Sequence, residues 1–131
     1  MATLRRVLRR RPGRDRGRTG ERGSGNRVRG DVYRLEFRGS GHEQRGVRYA
    51  IDVQDVRLNL STVVVVPTTG NLDLERDWRP RIAIDGDPCI VKCEAIQSVD
   101  RSTLGARCAQ LDEDDLEAID TAIRLVLVLP S

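Results

Sequence analysis

The sequence has few aromatic residues, almost no lysine and no long apolar run. Lys92 is the single lysine among 23 basic residues. The four aromatic residues are Tyr33, Phe37, Tyr49 and Trp78. No apolar stretch approaches the roughly 18 residues that a membrane-spanning helix needs, which excludes a transmembrane protein. The Arg-rich start lacks the apolar region of a secretory signal, so we expect a cytoplasmic protein.

Cysteine and histidine are also scarce. Cys89, Cys93 and Cys108 are an odd number of cysteines in a chain without an export signal, which predicts reduced thiols. A tetrahedral zinc site would have to recruit His42, the only histidine, from a distant Gly-rich segment. We therefore expect the thiols to pack in the core and the protein to use neither a metal nor a cofactor.

The motifs of common hydrolases and nucleotide-binding proteins are missing. There is no Gly-x-Ser-x-Gly, no phosphate-binding loop with its lysine and no His/Cys/carboxylate set at metal-ligand spacing. Because the chain has a single histidine, we do not expect a His-dependent nuclease.

Positive charge is concentrated at the start of the chain. Residues 1–29 hold eleven arginines against Asp15 and Glu21, a net charge of +9, whereas the remainder carries −6. Such a segment has little to bury, so we predict a disordered arm over residues 1–29 that attracts phosphate backbones without reading sequence. An alternative is that translation begins at Val28 and that the arm is an annotation artefact.

Residues 30–131 have the pattern of one small domain of short strands. Thr62–Val66 is β-branched throughout, and Pro67 follows it, which predicts a central strand buried on both faces. Residues 38–46 are Gly-rich and predict a mobile loop, and 70–80 predict a charged loop. The other strand candidates are residues 31–37, 47–54, 81–85, 89–93 and 107–111.

The last element is predicted to be a helix. Asp112 is a suitable N-cap, three acidic residues follow it, and Pro130 ends the helix. Its apolar residues recur at helical spacing: Leu116, Ile119, Ile123, Val126 and Leu127. We therefore expect a mainly β protein, a small, strongly bent antiparallel barrel with a C-terminal helix packed on it.

Two polar segments follow or precede apolar strands. Arg45-Gly46-Val47-Arg48 leaves the Gly-rich loop, and Thr68-Thr69-Gly70-Asn71 leaves the apolar strand. In a barrel of adjacent strands these ends can converge. An arginine fork can then clamp a phosphate, and a threonine hydroxyl can hold the attacking or bridging oxygen.

Four motifs in order resemble the MazF/PemK family of toxin endoribonucleases. They are Arg29-Gly30-Asp31-Val32-Tyr33, Gly41-His42-Glu43-Gln44-Arg45-Gly46-Val47-Arg48-Tyr49, Val66-Pro67-Thr68-Thr69-Gly70-Asn71-Leu72, and Glu94-Ala95-Ile96-Gln97-Ser98-Val99-Asp100 with Leu104-Gly105. The resemblance implies an SH3-like barrel of the CcdB/PemK type and a homodimer. It also implies metal-independent cleavage of single-stranded RNA at short motifs by attack of the ribose 2′-hydroxyl, and inhibition by a cognate MazE-like antitoxin.

The resemblance also implies the site. Matched position by position, the family's catalytic arginine falls on Arg48 and its catalytic threonine on Thr69. Surface ion pairing and turn formation are the alternative roles for these two residues. The residues predicted to contact RNA are Glu43, Gln44, Arg45, Thr68, Asn71 and Trp78; for Trp78, a rim or dimer contact is the alternative.

Three positions depart from the family pattern. Tyr49 stands where a proline usually follows the arginine, and it could redirect Arg48 or stack a base. His42 replaces a serine and Ala95 a glutamine. Two other functions therefore stay open: a non-catalytic barrel that binds RNA or antitoxin, and a CcdB-like gyrase inhibitor.

Overall fold

The computed structural model describes residues 27–39 and 45–131, and in these ranges the chain is mostly antiparallel β-sheet. Seven strands precede one α-helix: β1 (Asp31–Arg38), β2 (Arg45–Asp52), β3 (Thr62–Thr69), β4 (Arg81–Ile84), β5 (Asp87–Val91), β6 (Gln97–Asp100), β7 (Ala109–Gln110) and α1 (Glu113–Leu127). Three short 3-10 helices lie between strands, at Leu72–Leu74, Cys93–Ala95 and Arg101–Thr103. The predicted mainly β fold with a C-terminal helix is confirmed.

The sheet is organised around β3. It pairs with β2, β5 and β6, while β1 joins β2 to β7 and β4 extends the sheet beyond β5. Because one strand has three neighbours, the sheet bends into a nearly closed barrel. This agrees with the central strand predicted at Thr62–Val66.

The central strand is longer than predicted, because it continues through Pro67 to Thr69. Its pairing with β6 ends at Val65, and its pairing with β5 begins at Thr68. Pro67 lies between these two ladders, where its missing N–H is not needed, and its carbonyl still accepts from Lys92 N at 2.9 Å. The polar residues Thr68 and Thr69 therefore belong to a strand and not to the loop after it.

The barrel has two apolar clusters, one on each face of β1. The larger contains Val32 and packs against α1 through Ile119, whereas the smaller contains Leu35 and Phe37. This division explains why the apolar residues of β1 did not share one face in the sequence pattern. β1 contributes side chains to both clusters, because successive side chains of a strand point to opposite faces of the sheet.

The α-helix begins as predicted and ends one turn before Pro130. The Asp112 side chain accepts from Asp115 N at 2.9 Å, which caps the helix start beside three acidic residues. After Leu127 the backbone turns left-handed at Val128 (φ 57°). The helix is therefore already terminated two residues ahead of the proline.

The domain begins earlier than residue 30, which corrects the predicted arm boundary. Arg27 is 5 % exposed and is bound to the buried carboxylate of Asp52, and Arg29 pairs with Asp120 and donates from Nε to Val53 O at 2.9 Å. These two arginines look like the preceding run in sequence, but they have acidic partners inside the domain. The rest of the predicted arm, residues 1–26, lies outside the described residues.

The three cysteines have free thiols, as predicted. Cys89 and Cys93 are buried in the larger apolar cluster, and Cys108 packs against it. Burial raises the pKa of the Cys93 thiol to about 12, with smaller contributions from the negative charges of Glu94 and Asp120. In the described part of the chain, no helix is long and apolar enough to cross a membrane.

Candidate active site

Arg48 lies in the middle of β2, opposite Leu35 of β1. Its Nη1 donates to the carbonyl of Val47 at 3.1 Å, and its Nε is buried without a hydrogen-bond partner. The guanidinium makes no ion pair with a carboxylate of the described residues. An arginine without a carboxylate partner that has unused N–H donors is suited to hold an anion.

Thr69 is the last residue of β3, the strand paired with β2. The printed register joins Ala50 to Pro67 and Ile51 to Val66. Continuing it toward the strand ends places Arg48 opposite Thr69, and antiparallel partners share one face of a sheet. By this extension of the register, Arg48 in the middle of β2 lies across from Thr69 at the end of β3.

The hydroxyl of Thr69 also organises the turn that follows. Its Oγ1 accepts from Asn71 N at 3.2 Å, and Asn71 Oδ1 accepts from Asp73 N at 3.1 Å to cap the Leu72–Leu74 helix. Thr69 therefore has the predicted turn-forming role, and its hydroxyl proton remains available for an acceptor other than these. The exposed side chain of Asn71 stands beside it.

Thr68 occupies the opposite face from Thr69. It is 2 % exposed, and its Oγ1 donates to the carbonyl of Tyr49 at 3.4 Å. Burial and this bond indicate that Thr68 holds the backbone of β2 next to Arg48. The RNA contact predicted for Thr68 stays a prediction.

Tyr49, the residue that departs from the family pattern, also faces away from Arg48. Its ring lies under the guanidinium of Arg34, whose Cζ is 5.5 Å from the ring centroid. Arg34 is its cross-strand partner, and such a cation–π pair stabilises both side chains. The ring and the Thr68 hydroxyl together fix the strand where the family uses proline.

The Gly-rich loop cannot be placed in the site. Glu43, Gln44 and His42 lie outside the described residues, and Arg45 contributes only its backbone pairing with Arg38 to the description. Their predicted roles stay predictions. In sequence the loop ends directly ahead of Gly46 and Arg48.

Trp78 stands at the tip of a tight turn closed by paired backbone bonds between Arg76 and Arg79 (2.9 and 3.2 Å). Its side chain is 40 % exposed, and Arg79 Cζ lies 6.0 Å from its ring centroid. Arg79 is itself held by Glu94 Oε2, at 3.0 Å from Nε and 2.7 Å from Nη2. The turn therefore exposes the ring of Trp78, and the Arg79–Glu94 ion pair anchors the turn.

The Arg79–Glu94 pair shifts the pKa values of both side chains. Burial raises the pKa of Glu94, but hydrogen bonding and the charge of Arg79, together with the local backbone, outweigh burial and lower it overall. Hydrogen bonding to Glu94 raises the pKa of Arg79. In the sequence Glu94 belongs to a motif, but nothing in the sequence around Arg79, 15 residues earlier, indicates that the two side chains pair.

A groove of about 610 Å³ runs between β1 and β6. Leu35 and Phe37 line it, and these are the cross-strand partners of Arg48 and Gly46. The opposite side carries Gln97, Asp100 and Thr103. No three His, Cys, Asp or Glu side chains gather to hold a metal ion within residues 27–39 and 45–131.

The fold is a small barrel, and the side chain of Arg48 on β2 has no carboxylate partner among the described residues. The family model of the PemK-like, MazF-like toxins of type II toxin–antitoxin systems matches residues 28–127. The chain belongs to this family, whose members are endoribonucleases.

An individual relative and solved structures are also similar to this chain. A Mycobacterium tuberculosis (strain ATCC 25618 / H37Rv) protein named as a candidate toxin, Rv3098A, is 30% identical over 105 residues, which cover 78% of this chain and 98% of the relative. MazF (Form-I) from Deinococcus radiodurans superimposes with a TM-score of 0.68 at 21% identity, covering 78% of this chain and 96% of its own. An endoribonuclease from a mycobacterial species, solved with its cognate antitoxin, gives 0.66 at 21% identity, covering 80% and 98%. These structures share the fold of this chain.

Proposed function

We propose that this protein is a toxin endoribonuclease that cuts single-stranded RNA at a short sequence motif without a metal ion. The observation that carries the proposal is the placement of Arg48, without a carboxylate partner in the described residues, across from Thr69 on one face of paired strands. Membership of a toxin family and similarity to solved endoribonucleases support the same activity.

In the proposed reaction the 2′-hydroxyl of a ribose attacks the adjacent phosphorus. The hydroxyl loses its proton as the new P–O bond forms, the bond from phosphorus to the 5′-oxygen breaks, and that oxygen takes up a proton. The products are a 2′,3′-cyclic phosphate and a 5′-hydroxyl. Arg48 stabilises the negative charge that builds up on the phosphoryl oxygens, and the Thr69 hydroxyl holds the attacking or bridging oxygen.

The RNA on either side of the cut follows the groove between β1 and β6. Asn71 offers an exposed amide next to Thr69, and Trp78 offers a face on which a base can stack. Glu43, Gln44 and Arg45 directly precede Gly46 in sequence, and we propose that they contact RNA as well.

A cleavage assay in EDTA tests the proposal. Purified wild-type protein should cut a long single-stranded RNA at discrete positions, and Arg48→Ala should reduce the rate by at least about 100-fold because it removes a transition-state contact. Arg57→Ala is the matched control, since Arg57 is an exposed arginine paired with Asp55 in another loop. Near-normal cutting by folded Arg48→Ala would reject the mechanism.

Two further results of that assay favour the other functions. Retention of RNA without cuts supports a non-catalytic binding barrel, and neither cutting nor retention supports a gyrase inhibitor. A wild-type activity that is lost in EDTA and restored by a divalent cation would contradict metal independence.

We propose a homodimer and a cognate MazE-like antitoxin as the protein partners. A body of about 100 residues with few aromatic side chains has a small core, and a two-fold dimer would enlarge it. The antitoxin's acidic and apolar tail should compete with RNA for Arg45, Arg48 and their neighbours. Sedimentation at micromolar concentration, and RNA cleavage with saturating antitoxin, test the two partners separately.

A further inference from the structure

Gly46 lies directly beneath the guanidinium of Arg48. The backbone of Gly46 is left-handed (φ 93°), and an added Cβ would lie 3.2 Å from Nη1, 3.5 Å from Cζ and 3.7 Å from Nη2 of Arg48. The guanidinium plane thus rests on a bare α-carbon. A contact of 3.2 Å is tighter than nine in ten real Cβ contacts, so a side chain at residue 46 requires the guanidinium to shift by a few tenths of an ångström, and the left-handed backbone itself favours glycine.

With the guanidinium in this position, the N–H donors of Arg48 have different surroundings. Nη1 is held by the Val47 carbonyl, and Nε is enclosed without an acceptor. Nη2 makes no hydrogen bond to the described residues, so both of its N–H groups remain for a ligand, beside the second N–H of Nη1. A buried donor without a partner is costly and rare, and such groups mark positions where function sets the geometry.

We propose that Gly46 is a positioning residue, which seats the Arg48 guanidinium so that Nη2 meets a phosphoryl oxygen of the RNA. The proposal rests on the proposed ribonuclease function. A side chain at residue 46 lifts the guanidinium from its seat, exposes Nε and misdirects the charge at the moment when the transition state forms. Gly46 itself touches no substrate.

The chain offers a matched control for backbone strain. Gly86, in the turn between β4 and β5, has nearly the same left-handed backbone (φ 85°), but an added Cβ there meets nothing within 4 Å. Gly46→Ala and Gly86→Ala therefore impose the same kind of conformational strain, and only the first displaces an arginine. Gly46→Asn and Gly86→Asn repeat the comparison with a residue that tolerates this conformation better.

The first measurement does not depend on activity. The exchange of the Arg48 Nε–H with solvent is followed by ¹⁵N NMR in the RNA-free protein, with the signal assigned by its loss in Arg48→Lys. Gly46→Ala and Gly46→Asn should exchange this proton at least about tenfold faster than wild type, because the group is no longer enclosed, whereas the Gly86 variants should not change it. Unchanged exchange of the Arg48 Nε–H in folded Gly46 variants would show that Gly46 does not position the guanidinium.

The second measurement is the kinetics of RNA cleavage. Gly46→Ala should lower kcat at least about tenfold and leave KM within about threefold, while Gly86→Ala keeps both near wild type. Adding Gly46→Ala to Arg48→Ala should cause no further loss, because the glycine acts through the arginine. An additive loss, or normal kcat with a released Nε–H, would overturn the positioning role.

The two proposals fail in different ways. If the wild-type protein cuts no RNA, the ribonuclease function falls and the exchange experiment still decides whether Gly46 seats Arg48. If wild type cuts RNA and Arg48→Ala does not, but Gly46→Ala matches Gly86→Ala in both measurements, the function stands and the seat falls.

Discussion

One guanidinium nitrogen of Arg27 lies 3.1 and 3.0 Å from the two carboxylate oxygens of the fully buried Asp52. The same arginine donates to the carbonyls of Gln54, Asp55 and Leu58, so it ties the chain start to the segment between β2 and β3. Burial raises the pKa of Asp52 above its ordinary value, although the Gln54 N–H and the charge of Arg27 oppose this. The pair therefore makes residue 27 a part of the fold.

Arg27→Met should destabilise the protein at pH 7 by about 3–5 kcal/mol, because it leaves a carboxylate buried without its counterion. The loss should be smaller near pH 4. The pKa of Asp52 is raised in the folded state, so protonation at low pH favours folding and removes the need for a cation. Urea unfolding at both pH values measures the difference. Arg57→Met is the control, since the exposed Arg57–Asp55 pair should change stability little.

The hydroxyl of Thr69 should be needed for cleavage. Thr69→Val keeps the shape of the side chain and removes the hydroxyl, so we expect a rate loss of about tenfold to 1000-fold, whereas Thr69→Ser should retain most of the activity. Thr68→Val, with its side chain on the other face, serves as the neighbouring control and should cost far less. Equal losses at the two threonines would show that the sheet, and not the Thr69 hydroxyl, is responsible.

Trp78 should contribute to RNA affinity by stacking on a base. Trp78→Ala should weaken binding by about fivefold to 150-fold, which corresponds to about 1–3 kcal/mol per stacked base, and Trp78→Phe should keep most of the affinity. Val56→Ala changes another exposed apolar side chain and is the control. Fluorescence anisotropy with a short single-stranded RNA and Arg48→Ala protein measures binding without cutting. Equal affinities for Trp78→Ala and Val56→Ala would remove Trp78 from the contact set.

The Arg79–Glu94 pair should stabilise the fold in a pH-dependent way. The pKa of Glu94 is lowered in the folded state, so its contribution is present above its ordinary value of 4.5 and disappears as the pH falls through the lowered pKa. Glu94→Gln should thus cost about 1 kcal/mol or less at pH 7, and this cost should shrink as the pH falls below 4.5 and through the lowered pKa. Thermal unfolding of both proteins across this range tests it, and a difference that grows at low pH would contradict the assigned sign.

The sequence pattern predicted the elements whose signals are local. The helix was predictable because Asp112 caps it and its apolar residues repeat at helical spacing, and β3 because its β-branched run is continuous. β6 was missed, since Gln97–Asp100 has one apolar residue and is a strand only through its pairing with β3. Tertiary pairing of that kind leaves no local pattern.

The sequence named the candidate site residues, but it did not predict how they lie relative to one another. Arg48 and Thr69 were identified from motifs, but their placement across from one another depends on a register set by the lengths of two turns. The partners of Tyr49 and Glu94 lie 15 residues away on other strands or loops, at Arg34 and Arg79. Such cross-strand relationships become visible only in the folded chain.

Residues 1–26 should add RNA affinity without changing where RNA is cut. Residues 1–26 hold nine arginines against Asp15 and Glu21, a net charge of +7, which favours binding through counterion release. Their sequence indicates no base-reading structure. Deleting residues 1–26 keeps Arg27 on Asp52, so the fold should survive. The deletion should weaken binding at low salt and flatten the dependence of the binding constant on salt concentration. Cut positions of the full-length and truncated proteins are compared on one RNA at matched extents of cleavage. A changed set of positions would show that the segment takes part in reading sequence, because a purely electrostatic contribution acts equally at every phosphate.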